Sequence, residues 1–305
     1  MEVIEEKVWQ EKYRPIHVAE VISIHTEKIL KQLENPKSIQ NFLFHSRIGG
    51  TGKTSMAKAI IKDLGCDFKA LNASKDRSID TIRTTINDFC CSTSSNSNLK
   101  KCVWMDEGEK LTKDAMDALK NMIETYSSNA FFIFTTNNIN KINQPMQSRF
   151  NVMEFGRPEK TTIGLYLHNI CIKENMKYDS DAIDKLRDIH YPSIRCMVNH
   201  LQDLKLDNKD VIRENITSAS KEFDLLWELI KQKKYNDVRT TIIKDSYDVL
   251  LFNKYIFEKI IDDTIPFGIS AKIIKIVARN ERDFGLGADK TITFVASLPE
   301  IMAVF

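Results

Sequence analysis

Residues Gly49-Gly50-Thr51-Gly52-Lys53-Thr54 constrain this chain more than any other segment. The apolar run Phe42-Leu43-Phe44 leads into them and a helical pattern over 54–64 follows, so the glycines stand at a strand-to-helix turn. Such a turn aims consecutive backbone N–H groups and a helix N-terminus at one point, which suits a phosphate. Gly49, Gly50, Thr51, Gly52 and Ser55 are expected to form the cradle. Lys53 would reach the β- and γ-phosphates of a nucleotide, and Thr54 would set its hydroxyl on Mg²⁺. The strict pattern G-x-x-x-x-G-K-[ST] is not met, because Arg47 occupies the place of its first glycine. A glycine-rich turn with an incidental lysine is the alternative, and the flanking strand and helix speak against it.

Short apolar runs alternate with helical patterns through the first half of the chain, which predicts βα units and a parallel sheet. Strands are expected at 42–44, 68–71, 102–105 and 131–134, with helices over 54–64, 79–90 and 112–126. Thr112 is placed to cap the last of these, whose Leu119, Met122, Ile123 and Tyr126 recur at helical spacing. Cys102-Val103-Trp104-Met105 runs into Asp106-Glu107, placing two carboxylates at the C-terminal edge of a strand, where open parallel sheets bind ligands. Asp106 is expected to hold Mg²⁺ and Glu107 to orient and activate the attacking water. Thr135-Thr136-Asn137-Asn138 ends the run 131–134, and the Asn137 amide there can orient water and sense a γ-phosphate.

Beyond Gly156-Arg157-Pro158 the pattern turns helical, with segments expected at 161–176, 180–190 and 193–206 and a further boundary near 218–221. Six cysteines form no C-x-x-C pair and have no nearby histidines, which argues against zinc and fits reduced thiols in the cytoplasm. The N-terminal residues lack an export pattern and no apolar run approaches a membrane span, so no membrane partner is expected. A formal charge of +2 excludes an indiscriminate nucleic-acid coat and leaves only local basic stripes for such contact.

Trp9-Gln10-Glu11-Lys12-Tyr13-Arg14-Pro15, the glycine-rich turn, Asp106-Glu107, Asn137 and Pro145-Met146-Gln147-Ser148-Arg149 come in an order and spacing that resemble replication factor C small subunits. His45-Ser46 and Tyr126-Ser127-Ser128-Asn129 also resemble the clamp-loader large subunits of T-even-type tailed phages, a likeness that would place the protein in a host cytoplasm. The resemblance implies an α/β AAA+ P-loop ATPase domain over 1–157, a helical lid over 158–220 and a helical collar for oligomerisation over 221–305. It implies ATP and Mg²⁺ as cofactors. Asn137 takes the sensor-1 position, Arg149 the arginine finger that completes a neighbour's site, and Arg195 the sensor-2 position. Tyr13, Arg14 and Pro15 are expected near the adenine, with Val21 and Ile22 lining the same pocket.

Lys75, Arg77, Ser78 and Arg83 resemble the segment that tracks the DNA backbone. The implied partners are a sliding clamp, primer-template DNA, further copies of the chain, an accessory loader subunit in a pentameric ring and, indirectly, a replicative polymerase. The implied function is opening the clamp and placing it on DNA. Two departures stand out: Phe150 replaces the family's cysteine after Arg149, and Gly108-Glu109 replaces the usual third and fourth positions of the acidic box. Another DNA-acting AAA+ motor, such as a branch-migration helicase, and a non-catalytic nucleotide-binding scaffold are the alternatives.

Overall fold

The computed structural model describes residues 8–74, 79–94, 96, 99–216, 218–244, 249–262 and 265–305. In chain order the helices are α1 (Trp9–Lys12), α2 (Thr26–Leu33), α3 (Lys53–Leu64), α4 (Ile79–Cys91), α5 (Lys113–Thr125), α6 (Gln144–Gln147), α7 (Lys160–Lys173), α8 (Ser180–His190), α9 (Ile194–Leu206), α10 (Arg213–Ile216), α11 (Ser218–Lys231), α12 (Tyr235–Lys244), α13 (Val249–Asp262), α14 (Phe267–Gly285) and α15 (Lys290–Met302). The strands are β1 (Phe42–His45), β2 (Phe68–Asn72), β3 (Lys101–Asp106), β4 (Ala130–Thr136) and β5 (Asn151–Glu154). The chain divides into two compact units, Met1–Asn215 and Ile216–Phe305.

In the first unit the strands form one parallel sheet in the order β2-β3-β4-β1-β5. Side chains alternate between its faces, as period-two geometry requires. Leu43, Val103, Met105, Phe132 and Phe134 enter one core with Ile82 and Ile86 of α4 and Leu119 of α5. Phe42, Phe44, Cys102, Trp104, Phe131 and Ile133 enter the other with Met56 and Ile60 of α3 and Ile29 of α2. Burial on both faces explains why these strands read as unbroken apolar runs. Because β4 lies between β3 and β1, the carboxyl ends of all three converge.

The expected helix starts hold where a side chain caps them. Thr112 accepts from the Ala115 N–H at 3.2 Å, and Ser193 caps α9 by accepting from Cys196. The helix expected over 161–176 stops at Lys173, since Asn175 adopts a left-handed backbone (φ 51°) that ends a helix. The second unit holds α11 to α15 around Trp227, Phe252 and Phe294. Buried inside it, the Asn280 amide donates to Ser297 Oγ at 3.0 Å and to Asn253 Oδ1 at 3.4 Å. Among the described residues, no helix is long and apolar enough to cross a membrane.

Candidate functional site

The glycine-rich turn connects β1 to α3. Gly50 has φ 78° and Gly52 φ 99°, a backbone region that side chains resist. Gly50 is also hemmed in: a Cβ there would lie 2.4 Å from Ser193 Oγ and 2.9 Å from Arg195 Cβ. The Gly50 carbonyl accepts from the Ile194 N–H at 3.1 Å, so the N-terminus of α9 is docked on the turn. Arg47 is exposed, which accounts for the missing first glycine: a side chain at that position is free to extend into solvent.

Lys53 opens α3 and is only 7% exposed, donating to the Ile48 carbonyl at 3.2 Å. Burial lowers its pKa to about 8; Glu109 counteracts this, Arg195 adds to it, and Asp106 counteracts it more weakly. No carboxylate lies within ion-pair distance of Lys53 among the described residues.

At the end of β3 the Asp106 carboxylate accepts a hydrogen bond from the Thr135 hydroxyl of β4. Glu107 follows in a left-handed conformation (φ 56°), a strain on the order of 1–3 kcal/mol that is met at functional sites. Its carboxylate binds Lys110 Nζ at 2.8 Å and accepts from the Ser74 hydroxyl, and these bonds, Lys110 first, hold its pKa below the usual carboxylate range. Gly108 begins a 3₁₀ turn (Gly108–Lys110) against β4, where an added Cβ would lie 2.9 Å from the Phe134 ring. Phe134 in turn packs on Phe150 at 5.1 Å between ring centres. The two departures from the family pattern therefore meet at one ring. Asn137 donates from its amide to Glu109 Oε1 at 3.4 Å.

These ends enclose a cavity of about 430 Å³, within the range of small-ligand sites. The expected residues Arg14, Pro15, Val21, Ile22, Gly49, Gly50, Thr51, Gly52, Lys53, Thr54, Ser55, Asp106, Glu107, Asn137 and Arg195 line it. Gln10, Lys58, Trp104, Thr135, Thr136, Tyr166, Ile194 and Val198 line it as well. Sequence reasoning misses Tyr166, Ile194 and Val198 because helical periodicity does not reveal which helix turns toward a distant sheet edge.

Tyr13 stands beside the cavity rather than in its lining: its phenol donates to Glu174 beyond the end of α7. Its carbonyl accepts instead from the Tyr166 hydroxyl at 2.7 Å, and burial raises the Tyr166 phenol to about 12. Arg149 also lies outside the cavity, bonded to Glu124 of α5 and to the Pro145 carbonyl. Arg83 is exposed on α4, while Lys75, Arg77 and Ser78 lie outside the described residues.

A polyanionic ligand fits this cavity. The Thr51 hydroxyl and the Trp104 indole N–H belong to its lining residues and are buried without a hydrogen-bond partner, beside a buried ammonium with no carboxylate at ion-pair distance. Parallel sheet, glycine-rich turn, buried lysine and acidic strand end together define a P-loop ATPase. The sequence family described as "ATPase family associated with various cellular activities (AAA)" matches residues 43–157. A replication factor C small subunit of Methanococcus maripaludis (strain S2) is 31% identical over 97% of this chain and 91% of its own length. Its counterpart in Saccharolobus solfataricus is 30% identical over 99% and 96%. The chain belongs to the replication factor C small-subunit family, and it is a nucleotide-binding ATPase.

Among solved structures, the Thermotoga maritima RuvB Holliday junction branch migration motor aligns with TM-score 0.57 at 16% identity, covering 95% of this chain and 89% of that one. A point variant of the same RuvB aligns with TM-score 0.59 at 17% identity over the same shares. These likenesses concern the fold alone.

Proposed function

We propose that this chain is the ATP-hydrolysing subunit of a DNA sliding-clamp loader, opening the clamp and placing it on primer-template DNA. What carries the reading is kinship with replication factor C small subunits along almost the whole length of both chains. Lys53 and the turn's N–H groups hold the phosphates, while Arg14, Pro15, Val21, Ile22 and Tyr166 bound the nucleoside end of the cavity. Thr54 and Asp106 would hold Mg²⁺, which neutralises phosphate charge, and the Thr135 hydroxyl fixes Asp106 for that role. Glu107 takes the proton of the attacking water, Asn137 orients that water, and Arg195 answers to the γ-phosphate from α9.

Arg149 acts on a neighbouring subunit, in keeping with its place outside its own cavity. The lone chain is then a weak ATPase. Residues 1–157, 158–220 and 221–305 serve as ATPase domain, lid and collar, the collar joining copies of this chain and an accessory subunit into a pentameric ring. Lys75, Arg77, Ser78 and Arg83 contact DNA phosphates without reading sequence. The complex works in the cytoplasm and hands the clamp to a replicative polymerase.

The test is steady-state ATP hydrolysis by the chain and by Arg149→Ala, with and without primed DNA, clamp and accessory subunit. Strong stimulation by clamp plus primed DNA, lost in Arg149→Ala, supports the loader. Activity indifferent to clamp and to Arg149 rejects it in favour of a motor that moves on DNA without a clamp.

A further inference from the structure

Arg195 reaches the cavity from the first turn of α9, and that turn is held in part by groups outside the cavity. Tyr191-Pro192-Ser193 link α8 to α9. Beyond the far end of the link, the Ile194 N–H is held by the Gly50 carbonyl at 3.1 Å. At its near end the Tyr191 hydroxyl donates to the Pro158 carbonyl at 3.0 Å, across 33 residues of chain. Pro158 is buried in the segment by which the chain leaves β5 and enters α7. The Tyr191 ring is braced as well: the Lys160 ammonium sits over it, 5.1 Å from the ring centre, and pairs with Asp188 of α8 at 3.0 Å. Tyr191 does not line the cavity, and nothing in the chemistry above uses it.

One bond between the start of a helix and the glycine-rich turn is a pivot. The helix can still tilt about it, and a long arginine side chain magnifies the tilt at its guanidinium. A second tie a few residues away removes that freedom, and displacements of about 1 Å are enough to impair a site. Because α7, α8 and α9 pack on one another, the Tyr191–Pro158 bond sets all three against the segment that leaves the sheet.

We infer that Tyr191 is a positioning residue for Arg195: its bond to the Pro158 carbonyl holds the start of α9 where the guanidinium meets a third phosphate. The inference rests on the reading of Arg195 as the group that answers to the γ-phosphate. The preference of the site for ATP over ADP then depends on a hydroxyl that touches neither nucleotide. ADP has no third phosphate for Arg195 to meet, so its binding is indifferent to the tie.

Tyr191→Phe removes the hydroxyl and keeps the ring beneath Lys160, and thermal melting checks that the fold is retained. The full chain, the Tyr191→Phe and Arg195→Ala variants and the double variant are titrated with a slowly hydrolysed ATP analogue and with ADP, both with Mg²⁺. Tyr191→Phe is expected to weaken the analogue by roughly threefold to tenfold, the worth of one hydrogen bond, and ADP by less than about twofold. In the Arg195→Ala chain the same substitution should change the analogue by less than about twofold, since no guanidinium remains to be positioned.

An equal loss for analogue and ADP would assign Tyr191 to the fold alone and overturn the inference. So would an unchanged affinity for the analogue, or a loss that persists in full beside Arg195→Ala. If Arg195→Ala by itself leaves the ratio of analogue to ADP affinity as in the wild type, the reading of Arg195 fails, and the inference falls with it.

Discussion

Lys53 illustrates how a single residue sets function against stability. A lysine ordinarily titrates near 10.5, and burial brings this one to about 8. Below pH 8 it is charged in both folded and unfolded chains, so the full penalty of burying it is present. The penalty fades as pH rises from 8 to 10.5 and the folded protein no longer holds the proton. At neutral pH the burial costs on the order of 3 kcal/mol, because each pKa unit is worth about 1.4 kcal/mol. Lys53→Met, of similar shape but uncharged, is expected to make the nucleotide-free chain more resistant to urea at pH 7 while abolishing ATP binding. A loss of stability instead would mean that the bond to the Ile48 carbonyl outweighs the buried charge. Glu107 is held ionised to lower pH than an ordinary carboxylate, with the Lys110 cation as the main cause. Replacing Lys110 by Met should move the acid limb of the kcat–pH curve to higher pH, and an unmoved limb would remove Lys110 from the site's electrostatics.

Among the elements, the contact of the 3₁₀ turn with β4 explains the two departures from the family pattern. A side chain at 108 would strike the Phe134 ring, and Phe150 fixes that ring from behind. Gly108→Ala should cost about 1–3 kcal/mol by overpacking and impair hydrolysis through the adjacent Glu107. Shrinking the ring in Gly108→Ala/Phe134→Leu should recover much of both losses in denaturant melts and ATPase assays, and no recovery would show that the glycine serves another purpose. Here the limits of sequence reading become concrete. The strands are legible because Phe42, Val103 and Phe132 are flanked by further apolar residues and buried on both faces. The starts of α5 and α9 are legible because Thr112 and Ser193 are local caps. Local pattern is silent on the partnership of Thr135 with Asp106, of Glu109 with Asn137 and of Tyr166 with Tyr13, since each joins residues far apart in the chain. It is silent on the partner of the Tyr13 phenol for the same reason: Glu174, which accepts from it, lies 161 residues on.

For the molecule as a whole, the split into two units places every cavity-lining residue in Met1–Asn215. A fragment of residues 1–215 is therefore expected to bind nucleotide with the affinity of the full chain, and a large loss would assign the second unit a part in the site. Arg149 sits apart from that cavity, which gives the assembled state its own test. On the proposed roles, Glu107→Gln subunits would keep the finger and lose the base, whereas Arg149→Ala subunits would do the reverse. Mixed together they should recover ATP turnover that neither shows alone, and a mixture as inactive as its components would rule out completion in trans.

The Ile194 amide offers a view of this machine that needs no label. Its proton is held by the carbonyl of Gly50, in the turn proposed to cradle the phosphates. Nucleotide that stiffens the turn must slow the exchange of this one proton with heavy water, although it belongs to a helix about 140 positions further along the chain. Deuterium uptake by the peptide containing Ile194 is thus a clock for site occupancy, readable in the free chain and in any complex it forms alike.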